Sequence, residues 1–116
     1  MVNELIEEKE SWIIPIEGRT VTRCYIDFAF GIELWTREDY FSIRIGGKFM
    51  YEDKNGQSLL SPDDPVALCP AVNVFNSQIV SAIAFKTGKL VVDFSNNARI
   101  SVEADDKYEA WTLVGG

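Results

Sequence analysis

Glu33 and Asp93 are the residues of this chain whose type and spacing come closest to a catalytic arrangement. Each carboxylate stands between two apolar residues, in Ile32-Glu33-Leu34 and Val92-Asp93-Phe94. Each triplet then precedes a second alternating run, Phe41-Ser42-Ile43-Arg44 and Ile100-Ser101-Val102-Glu103. Two carboxyls brought together by such a recurrence would share a proton and act as an acid–base dyad, because like charges at close range cannot both ionise. The alternation itself argues the other way. Neighbours along a strand point to opposite faces, so a carboxylate flanked by two core residues points to solvent. A carboxylate-based hydrolase therefore ranks last among three readings.

Other chemistry is thinner. The chain has no histidine, which removes the commonest general base, the Ser-His-Asp and Cys-His arrangements and the usual catalytic zinc ligands. Cys24 and Cys69, the only cysteines, stand among apolar neighbours and read as small buried hydrophobes of a reducing compartment. Arg23 adjoins Cys24 but points to the opposite face of a strand. Asp53-Lys54-Asn55-Gly56-Gln57 fails as a calcium loop because its glycine comes fourth where an EF-hand needs it sixth. The glycines are isolated turn positions without phosphate-loop spacing. No catalytic residue, metal or cofactor is expected.

The elements that must position these side chains repeat. Residues 21–45 and 79–103 share one hydrophobic pattern, and each reads as three short strands. The expected fold is mainly β, with two duplicated three-stranded antiparallel meanders forming a small sandwich or partly open barrel, plus one short connecting helix. A chain of 116 residues fits a single domain. Within it, residues 1–11 form an N-terminal arm or short helix, 15–60 the first repeat plus a hairpin, 61–76 a helical connection, and 77–116 the second repeat with an aromatic C-terminal segment.

Local signals refine this plan. Pro15 confines any strand there to a sheet edge. Residues 20–28 are β-branched and aromatic on both faces, as in a well-covered strand, with a reversal around Ala29 to Gly31. Asn55-Gly56 suits a type I′ hairpin whose strand from Gln57 to Leu60 returns beside Phe49 to Glu52. Asp64 can cap a helix with Pro65 at its first position, and Pro70 keeps that helix short, with Leu68, Val72 and Phe75 on a common side. Thr87-Gly88 and Asn96-Asn97 make the turns of the second meander.

A net charge of −7 repels nucleic acid phosphate and anionic membranes, and no apolar run approaches a bilayer span. Met1-Val2-Asn3-Glu4 opens no signal peptide, so a cytoplasmic location is expected, with neither a nucleic-acid nor a membrane partner. What remains is acidic and aromatic surface suited to a protein partner, one of basic surface where charge steers the encounter. The candidate interaction residues are Glu33, Trp35, Glu38, Asp39, Tyr40, Tyr108 and Trp111. Trp35 lies on the face opposite Leu34 and is the better exposed candidate; Trp111, with Leu113 beside it, reads as a lid on the core. An exposed edge at residues 12–16 or 57–60 would make a symmetric homodimer easy to form.

The ending Tyr108-Glu109-Ala110-Trp111-Thr112-Leu113, read with Gly18-Arg19-Thr20-Val21-Thr22 and the Asp64-Pro65 pair before a short helix, resembles an uncharacterised family of small bacterial proteins. That family is a domain of unknown function whose members close with a YEAW-x-L signature. The resemblance covers about residues 15–115, leaves out the Glu-rich segment 4–10, and implies no catalytic residues. In size and acidity such proteins look similar to the immunity partners encoded beside bacterial toxins. The leading expectation is thus a non-enzymatic cytoplasmic interaction module of the immunity type. The alternatives are a small-molecule-binding β-barrel, marked by an enclosed apolar pocket between the repeats, and the hydrolase.

Overall fold

Short runs rich in β-branched and aromatic residues, punctuated by Gly, Asn and Asp, become strands joined by tight turns. In the computed structural model, which describes residues 5–105 and 110–115, these are β1 (Ile6–Glu7), β2 (Ser11–Ile13), β3 (Arg23–Ile26), β4 (Phe30–Trp35), β5 (Tyr40–Ile45), β6 (Phe49–Asp53), β7 (Gly56–Leu60), β8 (Ile79–Phe85), β9 (Leu90–Phe94), β10 (Arg99–Val102) and β11 (Trp111–Gly115). A 3₁₀ helix, Pro65–Val74, links β7 to β8. The strands form two antiparallel sheets, ordered β1-β2-β8-β9-β10-β6-β7 and β11-β5-β4-β3. Both sheets are open, so the chain does not close into a barrel.

The two expected meanders fall in different sheets, β3-β4-β5 in the smaller and β8-β9-β10 in the larger. Alternation turns one side of each inward. Ile32, Leu34, Phe41 and Ile43 from one meander and Val92, Phe94 and Ile100 from the other are at most 2% exposed and belong to one core. The Phe30 ring stacks on Phe49 at 5.5 Å and ties the two sheets together. On its outer side the larger sheet carries a row of directly opposed residues that crosses every strand: Ile6, Ile13, Ile83, Val91, Ser101, Met50 and Leu59. The row is apolar except at Ser101.

Several local expectations are corrected. Of the two forms expected for the N-terminal segment, arm or short helix, the described part takes the extended one, and β1 pairs with β2, because two isolated turns of helix cannot outweigh their nucleation cost when a strand edge is at hand. β2 then lies between β1 and β8, so residues 12–16 offer no free edge, and the strand stops at Ile13 before Pro15 can interrupt the ladder. β3 is shorter than expected and is an edge strand with exposed ends; Phe28 beyond it is 93% exposed.

The β3–β4 reversal comes at residues 27–29, where the Asp27 side chain accepts the Ala29 N–H, and Gly31 lies within β4. The β6–β7 loop is Lys54-Asn55, one residue earlier than a type I′ Asn-Gly turn, because Asp53 accepts the Asn55 N–H and Gly56 takes the positive φ of 127°. The strands still meet as expected, Glu52 opposite Gln57 and Phe49 opposite Leu60. The helix buries Leu68, Ala71 and Val74, whereas Val72 and Phe75 are exposed. A 3₁₀ helix repeats every three residues, so residues four apart leave the common side.

Candidate interaction surface

The outer face of the four-stranded sheet gathers three of the seven candidate residues, Glu33, Trp35 and Tyr40, within three cross-strand rows. Trp35 opposes Tyr40 in the first; Arg23, Glu33 and Ser42 make the second; Tyr25, Gly31 and Arg44 make the third. Strand periodicity accounts for the membership, since the residues between them in β4 and β5 are buried in the core.

Trp35 and Tyr40 stack, with centroids 4.5 Å apart and planes 15° from parallel. The Trp35 indole N–H donates to Glu33 Oε1 at 3.0 Å, and Arg23 Nη1 donates to the same oxygen at 3.2 Å. Glu33 thus holds two neighbours, and its side chain is only 14% exposed. Beside this group the Arg23 guanidinium lies 5.4 Å from the centre of the Tyr25 ring. The Tyr25 ring in turn lies across Gly31, where a Cβ would come within 2.1 Å of Tyr25 Cζ. Arg44 Nη1 donates to Asp27 Oδ2 at 2.9 Å. That bond, above all, holds the Asp27 carboxyl below the usual carboxylate range, and with Tyr25 it raises Arg44.

The acids at the hairpin tip divide. Asp39 takes a two-pronged contact from Arg19, at 2.6 and 3.1 Å, and also accepts the Thr36 hydroxyl at 2.8 Å. Glu38 is exposed, and its side chain makes no ion pair among the described residues. An acidic face is therefore not what forms here: Glu33, Asp27 and Asp39 each meet an arginine, and local charge is balanced.

Trp111 does not join this group. It opposes Ile45, at the far end of β5 from Tyr40, packs on the core with Leu113, and donates its indole N–H to the Gly88 carbonyl at 2.8 Å. It is a lid, as its spacing suggests. Tyr108 lies outside the described residues. Sequence reasoning missed Arg23, Tyr25, Asp27 and Arg44. The outward aim of Arg44 was legible in its alternation with Ile43 and Ile45, but the contacts of the other three depend on the β3–β4 register, which a reversal placed at residues 29–31 hides.

Glu33 and Asp93 do not meet. Their neighbours, Ile32 and Leu34 in one sheet and Val92 and Phe94 in the other, point into the shared core, so the carboxylates project from opposite outer faces. Each binds its cross-strand arginine, Arg23 for Glu33 and Arg99 for Asp93, the latter at 2.6 Å. Elsewhere a groove of about 330 Å³ opens between Gly46–Lys48, Ser61, Asp63 and Glu103–Asp105. Among the described residues no group of three His, Cys, Asp or Glu could hold a metal ion, and no helix is long and apolar enough to cross a membrane.

No curated protein and no solved structure matches the chain. One family model does, over residues 12–116, which takes in both sheets apart from β1 and Ser11, and the chain accordingly belongs to the Family of unknown function (DUF6188).

Proposed function

We propose that this chain is a non-enzymatic cytoplasmic interaction module that docks a protein partner on the outer face of its four-stranded sheet, in a role of the immunity type. One observation carries the reading. Trp35 is 52% exposed, yet its ring is held at one face by Tyr40 and at its N–H edge by Glu33. A large aromatic fixed before contact loses little freedom on docking, which is the property of an interface anchor. Steering falls to the net charge of −7 over the whole chain, which favours a partner of basic surface, because the acids on the face itself are matched by arginines.

The two lesser readings have weaker support. A hydrolase would need Glu33 and Asp93 on one side of the molecule. A small-molecule barrel would need space between the meanders, where Ile32, Leu34, Val92 and Phe94 pack together.

The test is affinity capture from a lysate of the native host, with the wild-type chain and Trp35→Ala, at low and moderate salt. The expected result is one stoichiometric partner that weakens as salt rises and is lost from the variant. The first candidate to examine is the product of a neighbouring gene with a toxin or secretion-type domain. A partner held equally by both proteins would place the interface on another face. A blank at both salt concentrations would turn attention to a small ligand.

A further inference from the structure

Asn55-Gly56, at the tip of the β6–β7 hairpin, differs from the other described asparagine positions in its surroundings. Asn55 is exposed, and among the described residues no hydrogen bond holds its side-chain amide; its backbone N–H donates to Asp53 Oδ1 at 2.8 Å. The residue that follows is a glycine, and nothing lies within 4 Å of where a Cβ would stand. Gly56 faces Asp53 as the first pair beyond the turn, where a hairpin at a sheet edge opens most readily. Elsewhere the nitrogen after each asparagine is held or crowded. The Ser77 N–H, after Asn76, donates to the Val74 carbonyl at 3.0 Å, and the Asn97 N–H, after Asn96, to the Phe94 carbonyl at 3.1 Å. The Ala98 N–H, after Asn97, donates to Asn96 Oδ1 at 3.0 Å. Val74, after Asn73, is buried and β-branched.

We propose that Asn55 is a site of spontaneous modification, converted to aspartate and isoaspartate with water as the co-reactant. Asparagine is among the thermolabile residues. Loss of the Gly56 amide proton to base leaves a nitrogen that attacks Asn55 Cγ. The new Cγ–N bond forms, the Cγ–Nδ2 bond breaks, and the side-chain nitrogen takes up a proton and leaves as ammonia, which closes a five-membered imide. Water then opens the ring. Attack at Cγ gives aspartate, and attack at the backbone carbonyl gives isoaspartate, in which the main chain runs through Cβ and Cγ; nothing is oxidised or reduced. Either product adds a carboxylate to a chain of net charge −7, close in sequence to Glu52 and Asp53. Isoaspartate also lengthens the turn by one backbone carbon, between Asp53 and Gly56, whose pairing begins the register that ends with Phe49 opposite Leu60. The hairpin therefore loosens from its tip. The site lies on the larger sheet and the Trp35 face on the smaller, so this inference stands apart from the proposed function.

The test is incubation of the folded wild-type chain for several weeks at physiological temperature and mildly alkaline pH, followed by proteolysis and mass spectrometry of each asparagine, with Asn55→Gln treated in parallel. Glutamine keeps an amide at this exposed turn position but must close a larger ring, and circular dichroism checks that the variant is folded. Conversion at Asn55 should outpace that at Asn73, Asn76, Asn96 and Asn97 by about tenfold or more, which needs a barrier lower by only about 1.4 kcal/mol. In the aged wild-type chain the backbone amides of β7 should exchange hydrogen faster, whereas aged Asn55→Gln should be unchanged. Conversion at Asn55 no faster than at the other four would overturn the assignment. Unchanged β7 exchange in the fully converted chain would overturn the effect on the hairpin.

Discussion

Glu38 and Asp39 read alike in the sequence, as neighbouring acids at the tip of a hairpin. Arg19 separates them: its guanidinium binds both Asp39 oxygens and lies 4.8 Å from the centre of the Phe41 ring. Asp39→Ala would remove that two-pronged contact, and the expected loss is about 2–3 kcal/mol, below the full figure for a buried pair because both side chains keep 12–13% exposure. Glu38→Ala should stay within about 0.5 kcal/mol. Urea unfolding of the two variants checks the contrast. The cysteines divide in the same way. Burial pushes the Cys24 thiol from its ordinary 9.0 up to about 11, whereas Cys69 is exposed. At mildly alkaline pH a disulfide reagent should modify one fast thiol, Cys69, and react much more slowly with Cys24, which is partly buried and held protonated. Because the folded value is the higher, the Cys24 contribution to stability is intact below pH 9.0 and is lost as pH rises toward about 11. Cys24→Ala should flatten that alkaline decline in the melting temperature.

At the scale of elements, the four-stranded sheet depends on a glycine that alternation would assign an outward side chain. Gly31 stands opposite both Tyr25 and Arg44, and the Tyr25 ring occupies the space a side chain would fill. Gly31→Ala should displace the ring and cost about 1–2 kcal/mol. In the Tyr25→Ala background the same change should be nearly neutral, so a double-mutant cycle by thermal unfolding isolates the contact. Additive losses would mean that the ring does not rest on Gly31. The 3₁₀ helix makes a related point about period: Leu68, Ala71 and Val74 form its inner line because Pro70 favours a short helix that repeats every three residues.

At the scale of the molecule, the two sheets share one core, and Phe49 from the larger sheet meets Phe30 from the smaller. Phe49→Ala should cost about 3–5 kcal/mol. That is a large part of the roughly 5–15 kcal/mol a domain of this kind possesses, so the variant should unfold at much lower urea, in a single transition if both sheets depend on the same core. Two separated transitions would show that the sheets are independent. The sequence by itself determined much of this architecture. Alternation set which residues of β4, β5, β9 and β10 face inward, and the turn residues at Thr87-Gly88 and Asn96-Asn97 bounded the second meander. The same alternation placed Trp35 outside and Trp111 against the core. These are local properties, written in the period of two along a strand. Only the tertiary structure decided which strands met: β6 joined β10, and β11 joined β5. Those pairings, with the true position of the β3–β4 turn, put Arg23 beside Glu33, Trp111 far from Trp35, and β7 at an open edge. Cross-strand partners are set by register between distant segments, and a shift of one residue in a turn changes every such partner while leaving the hydrophobic pattern of each strand intact.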